Sequence, residues 1–405
     1  MKVMDRKSAT NLGSVIEINP ASISRHYPYD EIEYIDISSV DTGFFSGSTR
    51  MPLAEAPSRA KRLVEHGDTI LATVRPNLRS FLFIKNPPEN MVVSTGFAVL
   101  HPSNKIDARF LYFTVTNQKF TDYLTANAKG SAYPAVDTET IARAEISFPT
   151  LEIQRKIAVI LSAYDDLIEN NLRRIKILEE MARSLYREWF VKFRFPGHQK
   201  VKMVNSPLGK IPEGWEVSTL GNESKNFDRM RKPLSKMERE KRPGPYPYYG
   251  AAKVFDHIDD FIFNGIYLLI AEDGSVVTPD RKPVLQYVNG KFWANNHTHV
   301  LQGKEPISTE FLHLVLSQVD ISGYITGAAQ PKITQENLNR IPVLVPSSDL
   351  LTNFNEIAQL IYRSIVLTEG KNKVLRQTRD FLLPKLISGE LDVSELDIET
   401  VNDGL

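Results

Sequence analysis

The chain has 405 residues, no cysteine, and as many basic as acidic side chains, 49 of each. Its length predicts two or three domains, and a content of 42% hydrophobic and 24% charged residues is typical of folded globular proteins. The balanced charge argues against nucleic-acid binding through bulk electrostatics, and the missing cysteines exclude disulfides, thiolate nucleophiles and cysteine-bound zinc. No apolar run approaches the length of a membrane span, so we expect a cytoplasmic protein.

An internal repeat is the most informative feature of the sequence. Gly130-Ser-Ala-Tyr-Pro134 matches Gly327-Ala-Ala-Gln-Pro331, and Leu12-Gly13 corresponds to Leu220-Gly221 near the start of each copy. The repeat predicts an α+β protein with two pseudo-repeated α/β domains, separated by two long antiparallel helices of coiled-coil type. The expected segments are a domain at 1–149, a helix at 150–195, a domain at 196–346, a helix at 347–391 and an acidic, solvated tail at 392–405.

Each copy contains short runs rich in β-branched and aromatic residues, which predict strands. In the first copy these runs are Thr69–Val74, Ser80–Lys85 and Met91–Leu100. In the second copy they are Ile266–Ala271, Val284–Val288 and Lys291–Ala294. Asn289-Gly290 lies between the last two runs, and this dipeptide between strands predicts a β-hairpin turn.

The first copy contains two groups of polar side chains in predicted turns whose donors and acceptors could bind nucleic-acid bases. The turn between its first two predicted strands presents Arg75, Asn77 and Arg79. Arginine can bind guanine, and asparagine can bind adenine, through paired hydrogen bonds. The second group, in the glycine turn, is Lys129, Ser131 and Tyr133. For both groups the alternative is an ordinary polar loop, or contact with phosphates alone.

After Pro149 the hydrophobic spacing changes to alternating steps of four and three residues, which indicates a long helix with a heptad seam. Thr150 is available as its N-cap, and Pro196-Gly197 is expected to end it. The seam residues are expected to include Leu161, Ile168, Asn171, Ile175, Leu178 and Leu185. Asn171 either fixes the register of a helix pair or lies exposed at its edge.

A second helix with the same steps is expected after Pro346, with Ser348 as its cap. Its expected seam residues are Ile357, Ile361, Leu375 and Leu382, while Ile365 and Val374 offer competing positions. Each helix alone is also compatible with simple packing on its own domain. Two seams of equal length at equivalent places in a repeat favour antiparallel pairing with each other.

The second copy has candidate nucleic-acid-binding residues in a basic segment and in three later loops. The candidates are Arg229, Arg231, Lys232, Arg281, Lys282, Asn295, Asn296, His297, Gln330 and Lys332. Basic loops bind phosphates more often than bases, so base recognition and phosphate contact both remain open for them. His297 and His299 lie two residues apart, but the sequence shows no third ligand near them, and we expect no metal site.

The sequence lacks the motifs of two enzyme classes. Asn86-Pro87-Pro88-Glu89 has glutamate where amino-methyltransferases have an aromatic residue, and no glycine-rich cofactor loop accompanies it. No phosphate loop with its Gly-Lys-Ser/Thr ending is present, so ATP hydrolysis is not expected. A fused methyltransferase or nuclease is therefore disfavoured, and a scaffold that binds other proteins through its two domains is the remaining alternative.

Four motifs, in order, resemble those of the specificity subunits of Type I restriction-modification enzymes. Phe148–Leu161 is similar to the central conserved region of that family, and Ile211–Gly221 is similar to the opening of its second recognition domain. Thr326–Thr334, with its partner Gly130–Val136, resembles the motif that closes each recognition domain. Phe381–Glu390 resembles the C-terminal end of the family, so the resemblance covers the whole chain.

The resemblance implies a non-catalytic subunit with two target recognition domains. Each domain would read one half of a bipartite, asymmetric DNA site, and the paired helices would set the spacing between the half-sites. No cofactor is expected in this chain. By the same resemblance, two modification subunits carry S-adenosylmethionine, and restriction subunits carry ATP and Mg²⁺. Their docking surfaces would include the outer sides of the domains and the solvent faces of the helices, which bear Arg173, Arg174, Lys176, Glu179 and Glu180.

Overall fold

The computed structural model describes residues 8–327 and 329–400. The chain forms two compact units. The first unit contains Met1–Asn170 and Asn372–Leu405, and the second contains Asn171–Lys371. Each unit therefore includes one half of each long helix. In the described part of the chain, no helix is long and apolar enough to cross a membrane.

In its described residues, the first unit contains short strands and three short helices besides its halves of the long helices. Its strands are β1 (Ser8–Asn11), β2 (Ile16–Ile18), β3 (Glu31–Ile35), β4 (Thr49–Pro52), β5 (Ala60–Leu63), β6 (Thr69–Ala72), β7 (Phe81–Phe83), β8 (Met91–Ser94), β9 (Phe97–Pro102) and β10 (Glu145–Phe148). Its short helices are α1 (Ala108–Thr116), α2 (Gln118–Ala126) and α3 (Thr138–Arg143). The strands form sheets in the orders β4-β3-β8-β5, β2-β9-β6-β7 and β1-β10.

Polar N-caps position the short helices of the first unit. The side chain of Asp107 accepts from the Phe110 N–H at the start of α1, and Asn117 accepts from the Phe120 N–H at the start of α2. Such caps satisfy backbone donors that lack partners within the helix. The buried faces of α1 and α2 then pack on the sheet that contains β6 and β9, with Phe110 and Leu111 fully buried.

The first long helix, α4, spans Leu151–Tyr186 and continues as a π-helical turn, Arg187–Val191. The expected end at Pro196-Gly197 is wrong by several residues. Phe193 adopts a left-handed conformation with φ of 56°, which stops the helix before the proline. The chain turns there because Phe195 packs against Trp215, with ring centroids 5.3 Å apart.

The second unit has a larger central sheet. Its strands are β11 (Met203–Ser206), β12 (Gly209–Pro212), β13 (Glu216–Thr219), β14 (Ser224–Asn226), β15 (Pro243–Tyr249), β16 (Val254–Ile258), β17 (Phe263–Ala271), β18 (Leu285–Ala294), β19 (Thr298–Gly303), β20 (Ile325–Thr326), β21 (Lys332–Ile333) and β22 (Pro342–Val345). Its short helices are α5 (Leu220–Glu223), α6 (Lys236–Glu240), α7 (Thr309–Leu316) and α8 (Gln335–Asn339), and the second long helix is α9 (Ser348–Ser388). Six strands form one sheet in the order β14-β19-β17-β18-β15-β16.

The hairpin predicted at Asn289-Gly290 is wrong. β18 runs through both residues as one strand of 10 residues, antiparallel to β17. Gly290 lies opposite Gly265, and both have positive φ, 107° and 133°. The two glycines thus distort both strands at the same place, and the long pairing with β17 overrides the local turn preference.

The repeat is visible in equivalent hydrogen bonds. β1 pairs with β10 in the first unit as β13 pairs with β22 in the second. The Leu12 N–H donates to the Ala144 carbonyl at 2.8 Å, and the Leu220 N–H donates to the Ile341 carbonyl at the same distance. The neighbouring glycines, Gly13 and Gly221, lie so close to α3 and α8 that an added Cβ would be 2.9 Å from the facing side chain in both units. The two units therefore share one plan.

Within each unit the halves of the long helices pack antiparallel. In the first unit, Asp165 of α4 pairs with Arg379 of α9, while Lys156 Nζ donates to the Ser394 carbonyl at 2.8 Å. Leu161 of α4 and Leu386 of α9 are buried in the same core. Residue numbers thus rise along α4 as they fall along its partner.

In the second unit the end of α4 meets the start of α9 in an aromatic cluster. Phe190 lies 4.7 Å from Phe354 between ring centroids, and Trp189 lies 5.8 Å from Phe354. Phe311 of α7 contacts both Phe190 and Phe354. This cluster fixes the two helix halves to the domain core.

The seam predicted for α4 agrees with its burial, whereas that of α9 needs correction. Leu161 and Ile168 are buried, and Asn171, Ile175, Leu178 and Leu185 are half-buried. On α9, Ile361 is buried and Leu375 and Leu382 are half-buried, but Ile357 is 41% exposed.

Ala358 occupies the seam place that was assigned to Ile357, and Ile365 is buried whereas Val374 is exposed. Ala358 belongs to the same hydrophobic core as Ala182 of α4. The face of α9 that carries the small side chain of Ala358, not the one that carries Ile357, therefore packs in the core. Ser348 also differs from its prediction as a cap, because α9 begins at this residue.

The acidic tail is not wholly solvated. Val393 is buried in the core of the first unit, and the Ser394 carbonyl accepts the hydrogen bond from Lys156 of α4. The tail's start therefore packs on the long helix. Residues 401–405 lie outside the described residues.

Candidate nucleic-acid interface

In the first unit two loops are joined by main-chain hydrogen bonds. The Arg75 N–H donates to the Pro134 carbonyl at 2.7 Å, and the Val136 N–H donates to the Thr73 carbonyl at 2.9 Å. We call residues 73–79 together with 129–136 the first clasp. It joins the two groups of side chains that the sequence marked for base recognition.

The second unit contains the same arrangement. The Gly274 N–H donates to the Pro331 carbonyl at 3.1 Å, and the Ile333 N–H donates to the Glu272 carbonyl at 2.8 Å. We call residues 272–284 together with 329–333 the second clasp. Relative to the matched prolines, these bonds are in the same positions as those of the first clasp. The repeat therefore includes the loops themselves.

Equivalent positions of the two clasps carry different side chains. Arg75 corresponds to Gly274, and Tyr133 corresponds to Gln330. Arg75 has φ of 50° and ψ of 59°, a left-handed conformation that costs an L-residue about 1–2 kcal/mol. Gly274 adopts positive φ without that cost. The first unit thus keeps a strained arginine where the second has the residue that suits the backbone, and such strain is typical of functional sites.

The Arg75 side chain stacks on an exposed aromatic ring. Its guanidinium carbon lies 4.7 Å from the centroid of Tyr133. Asn77 is also exposed, as are Lys129 and Ser131 on the opposing loop. Lys129 forms a long ion pair with Asp137, 3.4 Å between Nζ and the carboxylate. All of these polar groups are accessible to a ligand.

Arg79 is the exception in the first clasp. Its guanidinium donates to the Thr116 carbonyl at 2.9 Å and to Gln118 Oε1 at 3.0 Å. It also adopts positive φ, 58°. These contacts hold the turn against the junction of α1 and α2, so Arg79 positions the clasp, and its role in base reading stays a prediction.

A network of charged groups supports the second clasp. Arg231 donates to Glu272 Oε2 at 2.6 Å and to the Thr298 carbonyl at 2.7 Å, and its side chain is only 14% exposed. Lys332 lies 3.1 Å from the other oxygen of Glu272. Arg231 thus directs its donors to partners inside the protein, and a DNA contact by this residue stays a prediction.

His299 and Asp228 complete this network. Asp228 Oδ2 lies 2.6 Å from His299 Nδ1, and Asp228 Oδ1 accepts from the Val300 N–H. Burial opposes ionisation of Asp228 and Glu272, but hydrogen bonds from His299 and Arg231 respectively outweigh it. The pKa values of both carboxyl groups are therefore lowered.

His297 and His299 face different carboxylates. His297 pairs with Asp273 at 2.7 Å, whereas His299 faces Asp228 and Glu272. Ligand atoms of Asp228, Glu272 and His299 lie within 4.8 Å of one another, a grouping that the sequence did not reveal. Arg231 and Lys332 already neutralise these carboxylates, so the geometry is that of an ion-pair network.

The remaining candidates of the second unit divide by exposure. Asn295 is 4% exposed and its side-chain oxygen accepts from the His297 N–H, so this side chain supports the loop, and a DNA contact by it stays a prediction. Lys282 is half-buried and donates to the Gln318 carbonyl at 2.6 Å, which commits its charge to the domain. Arg281 is exposed but pairs with Asp320 at 3.0 Å. With Arg281, the exposed candidates are Arg229, Lys232, Asn296, His297, Gln330 and Lys332.

A family model described as Type I restriction modification DNA specificity domain matches residues 8–180 and 212–376. These two matches cover most of the chain and coincide with its repeat. The chain therefore belongs to the family of Type I restriction modification DNA specificity domains.

Relatives of full length agree with this assignment. The Type I restriction enzyme MjaIX specificity subunit of Methanocaldococcus jannaschii is 26% identical, over 98% of this chain and 95% of its own length. The Type I restriction enzyme HindI specificity subunit of Haemophilus influenzae is 23% identical, over 91% and 97%.

A solved structure shares the fold. The Type I restriction-modification system S subunit from M. genitalium has a TM-score of 0.56 at 16% identity, over 95% of this chain and 98% of that one. The chain is a specificity subunit of a Type I restriction-modification system, the non-catalytic component, with DNA and the other subunits of that system as its partners.

Proposed function

We propose that each unit reads one half of a bipartite, asymmetric DNA site through its clasp, and that the paired helices set the spacing between the halves. Two such readers address half-sites roughly 34 Å apart, one helical turn, when both contact the same side of the duplex. The exposed polar side chains of the two clasps supply the contacts. In the first clasp, Arg75 and Asn77 are suited to bases and Lys129 to phosphates, while Arg229 and Lys232, which lie outside the second clasp, would add phosphate contacts in the second unit.

The observation that carries this proposal is the pair of clasps. The main-chain hydrogen bonds are equivalent, whereas the exposed side chains at equivalent positions differ, as at Arg75 and Gly274. A common framework with different side chains is what two readers of different half-sites require. The asymmetry of the site follows from the asymmetry of the side chains.

The chemistry is proposed to lie on the partners. Two modification subunits would bind S-adenosylmethionine, and restriction subunits would bind ATP and Mg²⁺. The exposed outer face of α4, with Arg173, Arg174, Lys176 and Glu180, is available for docking them. The chain itself needs no cofactor for its part, because reading and spacing require only binding.

Mapping of modified bases across the genome tests this proposal. A strain that carries the chain and its modification partner should show one split, asymmetric methylated sequence, which disappears when the chain is deleted. Exchange of residues 171–371 for those of a relative should change one half of the sequence and leave the other half unchanged. Unchanged methylation after deletion would refute the proposal, and so would equal binding of the assembled complex to a scrambled duplex at moderate salt.

A further inference from the structure

Two apolar side chains project from the tip of the first clasp. Tyr133 is 70% exposed and Leu78 is 58% exposed. They are connected through Arg75, because its carbonyl accepts from the Leu78 N–H at 2.9 Å and its guanidinium lies over the Tyr133 ring. Isolated exposed apolar residues are common, but both of these residues contact one arginine that is held in a strained conformation.

The tip is held in place by its backbone. Lys129 and Ala135 exchange main-chain hydrogen bonds at 2.8 and 2.9 Å, and the Thr73 N–H donates to the Gly96 carbonyl at 2.9 Å. Each loop also contains a proline near its exposed apolar side chain, Pro76 two residues before Leu78 and Pro134 directly after Tyr133, and proline fixes φ at its own position. The projecting side chains therefore need little ordering when a ligand binds, and the cost of immobilising them is small.

The second clasp lacks this feature. Gln330 occupies the place of Tyr133, and Gly274 occupies that of Arg75. Val277 occupies the place of Leu78, but it is shorter, only 37% exposed, and paired in a β-bridge with Pro283. Among the described residues of the two clasps, the apolar tip thus belongs to the first clasp.

We propose that Tyr133 and Leu78 form a wedge that enters a base step of the duplex and unstacks it, so that the first unit bends its half-site. Proteins that bend DNA insert apolar side chains between base steps and kink the duplex by about 20–90°. Aromatic side chains gain about 1–3 kcal/mol by stacking on a base. Arg75, beside the ring, binds the adjacent phosphate or base edge and directs the tip to the groove.

This inference rests on the proposed reading of DNA by the clasps, and it goes further in assigning a deformation to one unit. It also supplies a reason for the strained Arg75. The guanidinium packs on the Tyr133 ring, and glycine at this place would remove that contact. The second unit has no wedge to support and can use glycine.

The test uses the complete complex of the chain with its modification partner, bound to a duplex that carries the mapped site and a fluorescent label at each end. Energy transfer between the labels reports the bend. The wild-type complex and Tyr133→Phe should bend the duplex to the same extent. Tyr133→Ala should lose most of the bend and bind at least about 5-fold more weakly, the equivalent of about 1 kcal/mol. Gln330→Ala, at the equivalent place in the second clasp, is the matched control and should keep the bend.

Leu78→Ala provides an independent test and should reduce the bend without abolishing it. Both changed side chains are exposed, so melting of the complex without DNA should be unaffected. An unchanged bend in Tyr133→Ala, or an unbent duplex in the wild-type complex, overturns the wedge while leaving the proposed function intact. Failure of the wild-type complex to prefer its mapped duplex overturns the proposed function itself.

Discussion

The conformation of Arg75 allows a substitution to separate stability from DNA binding. Arg75 has φ of 50° and ψ of 59°, and Gly274 takes the equivalent place in the second clasp. We compare Arg75→Gly with Arg75→Ala. Both remove the guanidinium and its contact with Tyr133, but only alanine keeps the left-handed strain. The difference between the two variants therefore isolates the backbone.

The expected magnitudes follow from that comparison. A left-handed L-residue costs about 1–2 kcal/mol, and glycine gives back about 0.5–1 kcal/mol because it gains more freedom in the unfolded chain. Arg75→Gly should thus be more stable than Arg75→Ala by about 0.5–1 kcal/mol. Loss of one arginine contact to DNA costs about 1–3 kcal/mol, so both variants should bind the specific duplex roughly 5- to 150-fold more weakly.

Two measurements check this prediction. Denaturant unfolding, followed for the transition of the first unit, gives the difference in free energy of unfolding between the two variants. Fluorescence anisotropy with the specific duplex, at one fixed salt concentration, gives the affinity of the assembled complex. An alanine variant that is as stable as the glycine variant would refute the strain, and wild-type affinity in both would refute the contact.

Three further outcomes are expected. Insertion of about four residues, near one helical turn, between Ile168 and Leu178 should change the gap between the two halves of the methylated sequence, and an unchanged gap in modified-base mapping would show that the helices do not set it. Phe354→Ala should destabilise the second unit by about 3–5 kcal/mol in denaturant unfolding, because Phe354 is fully buried among the rings of Phe190, Trp189 and Phe311. A decrease in the free energy of unfolding of less than about 1 kcal/mol would contradict that packing. Desolvation, and secondarily the charge of Arg183, lowers the pKa of His313 to about 4 from its ordinary 6.5, so the folded state binds a proton less readily than the unfolded chain. The free energy of unfolding should therefore be full above pH 6.5 and should fall as the pH decreases towards 4. In His313→Gln, this part of the curve of stability against pH should be flatter.

The architecture could be predicted from the sequence because it depends on an internal repeat and on the periodic spacing of hydrophobic residues. The matches of Gly130 with Gly327 and of Leu12 with Leu220 correspond to equivalent turns and hydrogen bonds in the two units. The heptad steps of α4 likewise correspond to its buried face. These features depend on local spacing, which a single sequence displays.

The sequence was misleading where a residue far along the chain determines the local structure. Asn289-Gly290 has strong hairpin chemistry, but Gly265 opposite it allows β18 to continue. Arg231 looks like a free cation until Glu272, far along the chain, is placed against it. Neither partner is marked by spacing or composition, so tertiary contacts had to be seen before these residues could be assigned.

The same limit applies to the functional site. The sequence indicated both loops of the first clasp, yet it gave no sign that they are joined by hydrogen bonds from Arg75 and Val136. Alignment of the two copies at Pro134 and Pro331 was the signal that could have suggested it. The left-handed backbone of Arg75 had no signal at all, because arginine carries no preference for that conformation.

The discontinuity of the first unit determines the order in which the protein can be completed during synthesis. Residues 171–371 form the second unit without interruption, whereas the first core joins Leu161 to Leu386, which is 225 residues later in the chain. At roughly 5–20 residues per second, the ribosome needs about 10–45 s to cover that stretch. The apolar face of α4 that packs against α9 therefore leaves the ribosome long before α9 is synthesised. The second unit can complete its folding before the first unit does. A chaperone that shields α4 over this interval would raise the yield of the whole subunit.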